Sequence, residues 1–253
     1  MIVLLLVFSS AVSAQVKPTK SYFTSYWTDT KYIVSEPTRW NGNQWLQLGG
    51  TLAVAGGLYL IDDDIREWSQ NNTSSQSEFI SHYLLEPWGS GIYSLGTLGI
   101  LYLTDGDRGR KVALQGTKAW LLTGGATFVL KQLTHRQRPN DGSEPDPNVW
   151  HGPYALTSDF TSFPSGHTST VWAVATVISK SYNKTWVKIV SYSIASLAGA
   201  SRIHDDVHWA SDVFIGAALG YFVGNSIIKN SSEIDWGVSL NQGVLGGNLV
   251  WKF

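Results

Sequence analysis

Residues 111–139 read KVALQGTKAWLLTGGATFVLKQLTHRQRP. Apolar residues recur at helical spacing and no proline intervenes before Pro139, which predicts a long helix over Lys111–Leu133 closed by a basic cluster. Working outward, the same pattern predicts helices at Phe79–Leu85, Ile92–Thr104, Ser165–Ser179, Trp186–Ala200 and His208–Ile228. Pro87-Trp88-Gly89, Asp105-Gly106-Asp107 and a long loop from Pro139 to Pro164 separate them. That loop carries Asp141-Gly142 and Pro145-Asp146-Pro147, so it reads as irregular, and loops of such length in compact domains are often functional. From Trp45 the pattern predicts one further helix, buried in its first part and wet from Asp62-Asp63-Asp64 onward. The expected fold is an all-α bundle of about six core helices.

The ends differ from this middle. Met1 to Phe8 is apolar, and Val12-Ser13-Ala14 supplies the small residues of a cleavage site, so 1–14 is expected to be a secretory signal. Residues 15–40 read as a polar, aromatic-dotted arm, with Pro37 arguing against continued helix. Residues 41–228 form the expected catalytic helical domain. In 229–253, alternation and Gly246-Gly247-Asn248 predict a small β-hairpin.

Composition narrows the function classes. The 253 residues carry 18 Lys+Arg against 19 Asp+Glu, a formal charge of -1 that gives no footing for nucleic acid. Zero cysteine excludes disulfide scaffolds, thiolate metal sites and cysteine nucleophiles. Only 15% of residues are charged and 12 are Trp, yet mean hydropathy is -0.05. Hydropathy favours a mainly water-facing bundle, exported to a periplasm or cell envelope. Trp40–Ile61 and Phe160–Ser179 approach the length of a span, which leaves integral membrane location and surface association open.

Three segments carry chemistry. Lys131 and Arg138-Pro139 close the long helix, Pro164-Ser165-Gly166-His167 opens the next, and Ser201-Arg202 precedes His208 and Asp212. Asp212 follows His208 by four positions, which on a helix lets the carboxylate fix the imidazole tautomer and free the other nitrogen as nucleophile or base. Ser165, Gly166 and His167 fall at a helix N-terminus, whose N–H groups cradle anions. Lys131, Arg138 and Arg202 add three cations suited to phosphoryl oxygens. By contrast, Asp62-Asp63-Asp64 reads as a solvated helix end, and His135-Arg136, inside the first motif's spacer, as residues that either line the mouth of the site or face solvent. His204 could tune the site, and Trp150 and Trp209 could shape a pocket.

In these motifs the chain resembles the type 2 phosphatidic acid phosphatase and vanadium haloperoxidase superfamily, whose signature is Lys-x6-Arg-Pro, Pro-Ser-Gly-His and Ser-Arg-x5-His-x3-Asp. The resemblance implies that His208 attacks phosphorus, Asp212 orients it, and His167 serves as acid and then base. Lys131, Arg138, Ser165, Gly166 and Arg202 would hold the phosphoryl oxygens. It implies a phosphorylated small-molecule or lipid substrate, polyprenyl diphosphate among the options, with no metal and no cofactor. Vanadate enters only under the alternative, a vanadate-dependent haloperoxidase using the same pocket.

Overall fold

The structure is a computed structural model that describes residues 18–233 apart from 143, 154, 155 and 157–159, together with the backbone of 238–241 and 244–247. The expected signal over 1–14 lies outside the described residues. Of the expected hairpin over 229–253, residues 229–233 instead continue the last helix, the backbone of Val238–Asn241 pairs antiparallel with that of Val244–Gly247, and the rest lies outside the described residues.

Nine helices are present among the described residues, against the six expected. The first three come from residues read as arm or as a single helix. Thr19 caps α1 (Lys20–Ser35) by accepting the Tyr22 N–H, and no proline follows until Pro37, which opens a 3₁₀ turn. The arm is therefore helical. It is pinned by a buried ion pair, Asp29 taking Lys118 Nζ at 2.6 Å and also Asn230, and by a half-exposed one, Glu36 taking Lys229 at 3.0 Å. Asn41 and Gln44 form a capping box for α2 (Gly42–Tyr59), and the chain breaks at residues 60–61 before α3 (Asp62–Asn71). The expected burial fails in the first part, while the second part is wet at Asp63, Asp64 and Glu67. Trp45, Leu46, Leu52 and Val54 of α2 are exposed, whereas Asp62 of α3 is 1% exposed.

Next, α4 runs over residues 75–89, as Ser75–Phe79, a π-helical stretch Ile80–Leu85 and Glu86–Gly89. Pro87 cannot donate to the Tyr83 carbonyl, and the Tyr93 hydroxyl takes that acceptor at 3.1 Å. The expected helices follow as α5 (Ile92–Thr104), α6 (Gly106–Thr134), α7 (Gly166–Tyr182), α8 (Thr185–His204) and α9 (Ala210–Glu233).

The centre of the bundle is α7, packed between α6, α8 and α9. Its contact with α9 is set by Gly216, Gly220 and Gly224. A Cβ there would lie 2.7, 2.1 and 2.7 Å from the carbonyl oxygens of Ser165, Ser169 and Ala173. This four-residue ladder lets the two backbones touch. Small and hydroxylated side chains fill the interior, Thr127 Oγ1 meeting Ser169 Oγ at 2.8 Å. The large apolar ones face outward: Ile100 and Leu103 on α5, Phe128 and Val129 on α6, Trp186 and Ile189 on α8. A water-facing bundle would carry the opposite arrangement. By length and composition, one described helix, Ala210–Ser231, is apolar enough to cross a membrane, with 44% of its window buried in the bundle.

Candidate active site

The C-termini of α6 and α8 and the N-termini of α7 and α9 meet at one end of the bundle. There the long loop is less irregular than its sequence suggests. Residues 135–137 run between two returning passes: Gln137 N–H donates to Val149 O, His151 N–H to His135 O, and Ser162 N–H to Arg136 O. The second pass delivers Thr161–Ser165 into the centre of the site, where the motif side chains gather. Lys131 Nζ donates to the Thr161 carbonyl and to that of Ser162 at 3.2 Å. Arg138 Nη2 reaches Thr161 Oγ1 at 3.2 Å, and Ser162 Oγ lies 3.4 Å from His208 Nδ1.

Ser165 is the N-cap of α7. Its buried hydroxyl accepts from Thr168 N at 3.4 Å and from Thr168 Oγ1 at 2.9 Å, and its N–H donates to the Asp212 carbonyl at 3.0 Å. The first-turn N–H groups of Gly166 and His167 have no intrahelical partner. Arg202 Nη2 is held by Asp205 at 2.6 Å and by Ser201 Oγ at 3.0 Å. Asp205 in turn takes Ser81 Oγ at 2.6 Å and His204 Nδ1 at 3.0 Å, which places His204 behind Arg202.

His208 and Asp212 do not share a helix face, because α9 starts at Ala210. Asp212 sits in the first turn and accepts the Trp209 N–H at 3.2 Å, the return half of a capping box. Its carboxylate is 3.9 Å from His208 Nδ1, and Ser162 stands between, donating to Asp212 Oδ2 at 2.5 Å. This occupies the Nδ1 side of His208 and leaves Nε2 to the pocket. Burial holds His208 well below the usual imidazole range, and Lys131, Arg138, His167 and Arg202 push it the same way. Four positive or potentially positive groups therefore converge on one neutral ring.

His167 is less enclosed. Its Nε2 lies 3.1 Å from Glu86 Oε1. Burial lowers its pKa first, Arg202 and Arg138 lower it further, and Glu86 opposes them. Gly89 makes room for the ring, since a Cβ there would fall 2.6 Å from His167 Cβ.

Several expectations are corrected here. Arg136 is 0% exposed, and it bridges Asp62 Oδ2 at 2.8 Å and Asp212 Oδ1 at 2.6 Å beneath the rings of Tyr59 and Trp150. Asp62 also accepts Ser211 N–H at 2.9 Å, so of the three aspartates only Asp63 and Asp64 are exposed. His135 is buried, its Nδ1 on the Gly152 carbonyl at 2.9 Å. Trp209 is buried with its indole N–H on Gln137 O, so it supports the loop rather than lining a pocket. Sequence reasoning missed Glu86, Ser162 and Ser211 altogether. Among the described residues no cluster of three or more His, Cys, Asp or Glu could hold a metal ion.

Beside the site, an apolar groove of about 480 Å³ runs between α5, α7 and α8. Trp88 lines it next to Gly89 and His167, and Leu101, Val174, Ile178 and Trp186 line it toward the far end.

Residues 117–235 match the model of the PAP2 superfamily. Over 65 residues the chain is 48% identical to lipid A 1-phosphatase of Porphyromonas gingivalis, which covers 25% of this chain and 15% of that one. The chain thus spans well under two thirds of that curated relative. The solved structure of Aquifex aeolicus LpxE is similar with a TM-score of 0.53 and 26% identity, over 66% of this chain and 93% of that one. The first transmembrane PAP2 type phosphatidylglycerolphosphate phosphatase from Bacillus subtilis is similar in fold, with a TM-score of 0.50 and 21% identity over 85% and 96% of the two chains.

Proposed function

From the PAP2 superfamily match over residues 117–235, we propose that the chain is a phosphatase of that superfamily that hydrolyses phosphate monoesters of lipids through a phosphohistidine on His208. The observation that carries this reading is the gathering of Lys131, Arg138 and His208 on the Thr161–Ser162 segment, with Arg202 and His167 in electrostatic reach of His208.

Neutral His208 attacks phosphorus through Nε2, and the bond from phosphorus to the alkoxide oxygen breaks. His167 gives its proton to that oxygen, so the alcohol leaves neutral. Water then attacks the phosphohistidine, gives a proton to His167, and the electron pair of the P–N bond returns to His208. The dispersed charge of phosphoryl transfer asks chiefly for fixed positive groups around the equatorial oxygens. Lys131, Arg138, Arg202 and the α7 N-terminus supply them, with Ser165 holding that N-terminus in place and Gly166 leaving its backbone open to the anion. Asp212 acts on His208 mainly through Ser162.

A lipid substrate fits the groove that leaves the site at Trp88, and the outward apolar side chains support a bundle set in a membrane with the site at its surface. The curated relative named above supports the same substrate class. A polyprenyl diphosphate offers the same anionic head and hydrocarbon tail. The relatives named above include phosphatases, so the haloperoxidase alternative finds no support there.

The test is phosphate release by the purified full chain in detergent, with EDTA present, from a phosphatidate and from p-nitrophenyl phosphate. Both are expected to be hydrolysed, and His208→Ala to hydrolyse neither. Val190→Trp, in the groove, is expected to slow the phosphatidate alone. A His208→Ala protein with full turnover would defeat the reading, and halide oxidation on adding vanadate would favour the alternative.

A further inference from the structure

Resting on the phosphatase reading, we propose that Glu86 is the positioning residue of His167, holding the ring and its transferable proton toward the leaving oxygen. Glu86 Oε1 accepts from His167 Nε2 at 3.1 Å, which leaves the ring's other nitrogen for the substrate. Nothing in the three signature segments announces this residue, which lies 81 positions upstream of its partner.

The backbone of α4 aims it. Glu86 N–H bonds to the Ser81 carbonyl, five residues back, in the π-helical stretch. On α-helical spacing, positions 81 and 86 would point to different sides, whereas the wider turn brings them above one another. Ser81 faces Asp205 behind Arg202 and Glu86 faces His167, so one short segment sets both sides of the pocket. Such π-turns recur at functional sites.

The charge balance explains why the position needs a carboxylate. Groups facing His167 come from each element around it: Arg202 at the end of α8, Arg138 and His208 from the loops, and Glu86 from α4. Burial and the two arginines work against a protonated ring, and Glu86 works for it. Burial and the same arginines, with Lys131, keep His208 neutral. The carboxylate thereby opposes loss of the His167 proton beside a ring that the cations and burial keep neutral, which draws the two histidines toward different acid–base roles.

The experiment compares kcat/KM against pH for Glu86→Gln and Glu86→Asp, using an alkyl phosphate such as phosphatidate and p-nitrophenyl phosphate, whose leaving group needs little protonation. General acid catalysis is worth about 10²–10⁴ in rate. Glu86→Gln is expected to lose about 10- to 100-fold of that on the alkyl ester, with the alkaline limb displaced to lower pH. On p-nitrophenyl phosphate its loss stays within about 3-fold, a small part of the same factor. Glu86→Asp recovers part of the alkyl activity. Equal losses on both esters, or none, would overturn the role of Glu86. A wild-type chain that cleaves neither ester would instead sink the phosphatase reading.

Discussion

Replacing Arg136 by methionine gives the sharpest test of how the site is held. The guanidinium, Asp62 and Asp212 are each 0% exposed at the side chain, and one cation serves both carboxylates. Methionine retains much of the packing volume but strands two anions that keep only neutral donors, the hydroxyls of Ser211 and Ser162 and the N–H groups of Ser211 and Trp209. Breaking a buried pair in this way costs about 3–5 kcal/mol. A ceiling comes from protonation, since the stranded pair relieves itself by taking up one proton. That uptake costs about 1.4 kcal/mol for each pH unit above an ordinary aspartate at about 3.9, or roughly 4 kcal/mol at neutrality. Arg136→Met should therefore lose about 4 kcal/mol near neutral pH. The sign of the pH effect follows: the folded variant binds one proton more than the unfolded chain, so its deficit shrinks by about 1.4 kcal/mol per unit on acidification. Adding Asp62→Asn removes one stranded charge and should restore stability to the Arg136→Met background, although it is destabilising alone. Denaturant unfolding in detergent, followed by tryptophan fluorescence, measures all four corners of the cycle. A loss below about 1 kcal/mol for the single variant, or additivity of the pair within about 0.5 kcal/mol, would refute the buried bridge.

Other outcomes follow from the same geometry. Gly220→Ala sets a Cβ 2.1 Å from the Ser169 carbonyl, so α7 and α9 must part. Overpacking of this kind costs about 1–3 kcal/mol, and turnover should fall too because Ser165 and Asp212 join the same two helices; Gly96→Ala, with nothing within 4 Å, is the neutral comparison in thermal melts. For pH, His208 and His167 both have folded pKa values below the unfolded value of about 6.5. The unfolded chain then binds more protons below that value, so stability is lost as pH falls through it, and His208→Asn should flatten the slope of melting temperature against pH.

The residues assigned to the phosphate were legible in the sequence because their chemistry requires fixed types at fixed spacings. Lys131, Arg138, His167, Arg202 and His208 stand out by residue type and spacing, and helix ends and the adjoining loops gather them at one end of the bundle. What could not be read was how they are held. Asp62 and Arg136 each sit in a run of like charge, and charge runs are usually solvated. Their burial depends on a partner 74 residues away, for which neither run carries a local signal. The His208–Asp212 spacing suggested a shared helix face, but a helix that begins at Ala210 turns Asp212 into part of its own cap. The glycines at 216, 220 and 224 did offer a readable signal, a four-residue repeat of small residues, which hydropathy alone passes over. Hydropathy also misjudged the exterior. A bundle with hydroxyls inside and leucines outside has the same mean as one arranged the other way.

These supports share a location that bears on how the fold works. The superfamily match begins at residue 117, yet Asp62, Arg66, Ser81 and Glu86 all lie before it. Arg66 grips Asp206 through two hydrogen bonds at 2.7 and 2.8 Å, fixing the turn that presents His208. Asp62 neutralises the arginine that holds Asp212, Ser81 steadies the aspartate behind Arg202, and Glu86 faces His167. Thus α6 to α9 and the loops between them carry the groups proposed to act on the phosphate, while side chains of α3 and α4 contact and orient them. Reactivity in such a pocket depends on orientation as much as on residue type. The four C-terminal helices alone would keep every signature residue and lose the contacts that set the two histidines apart.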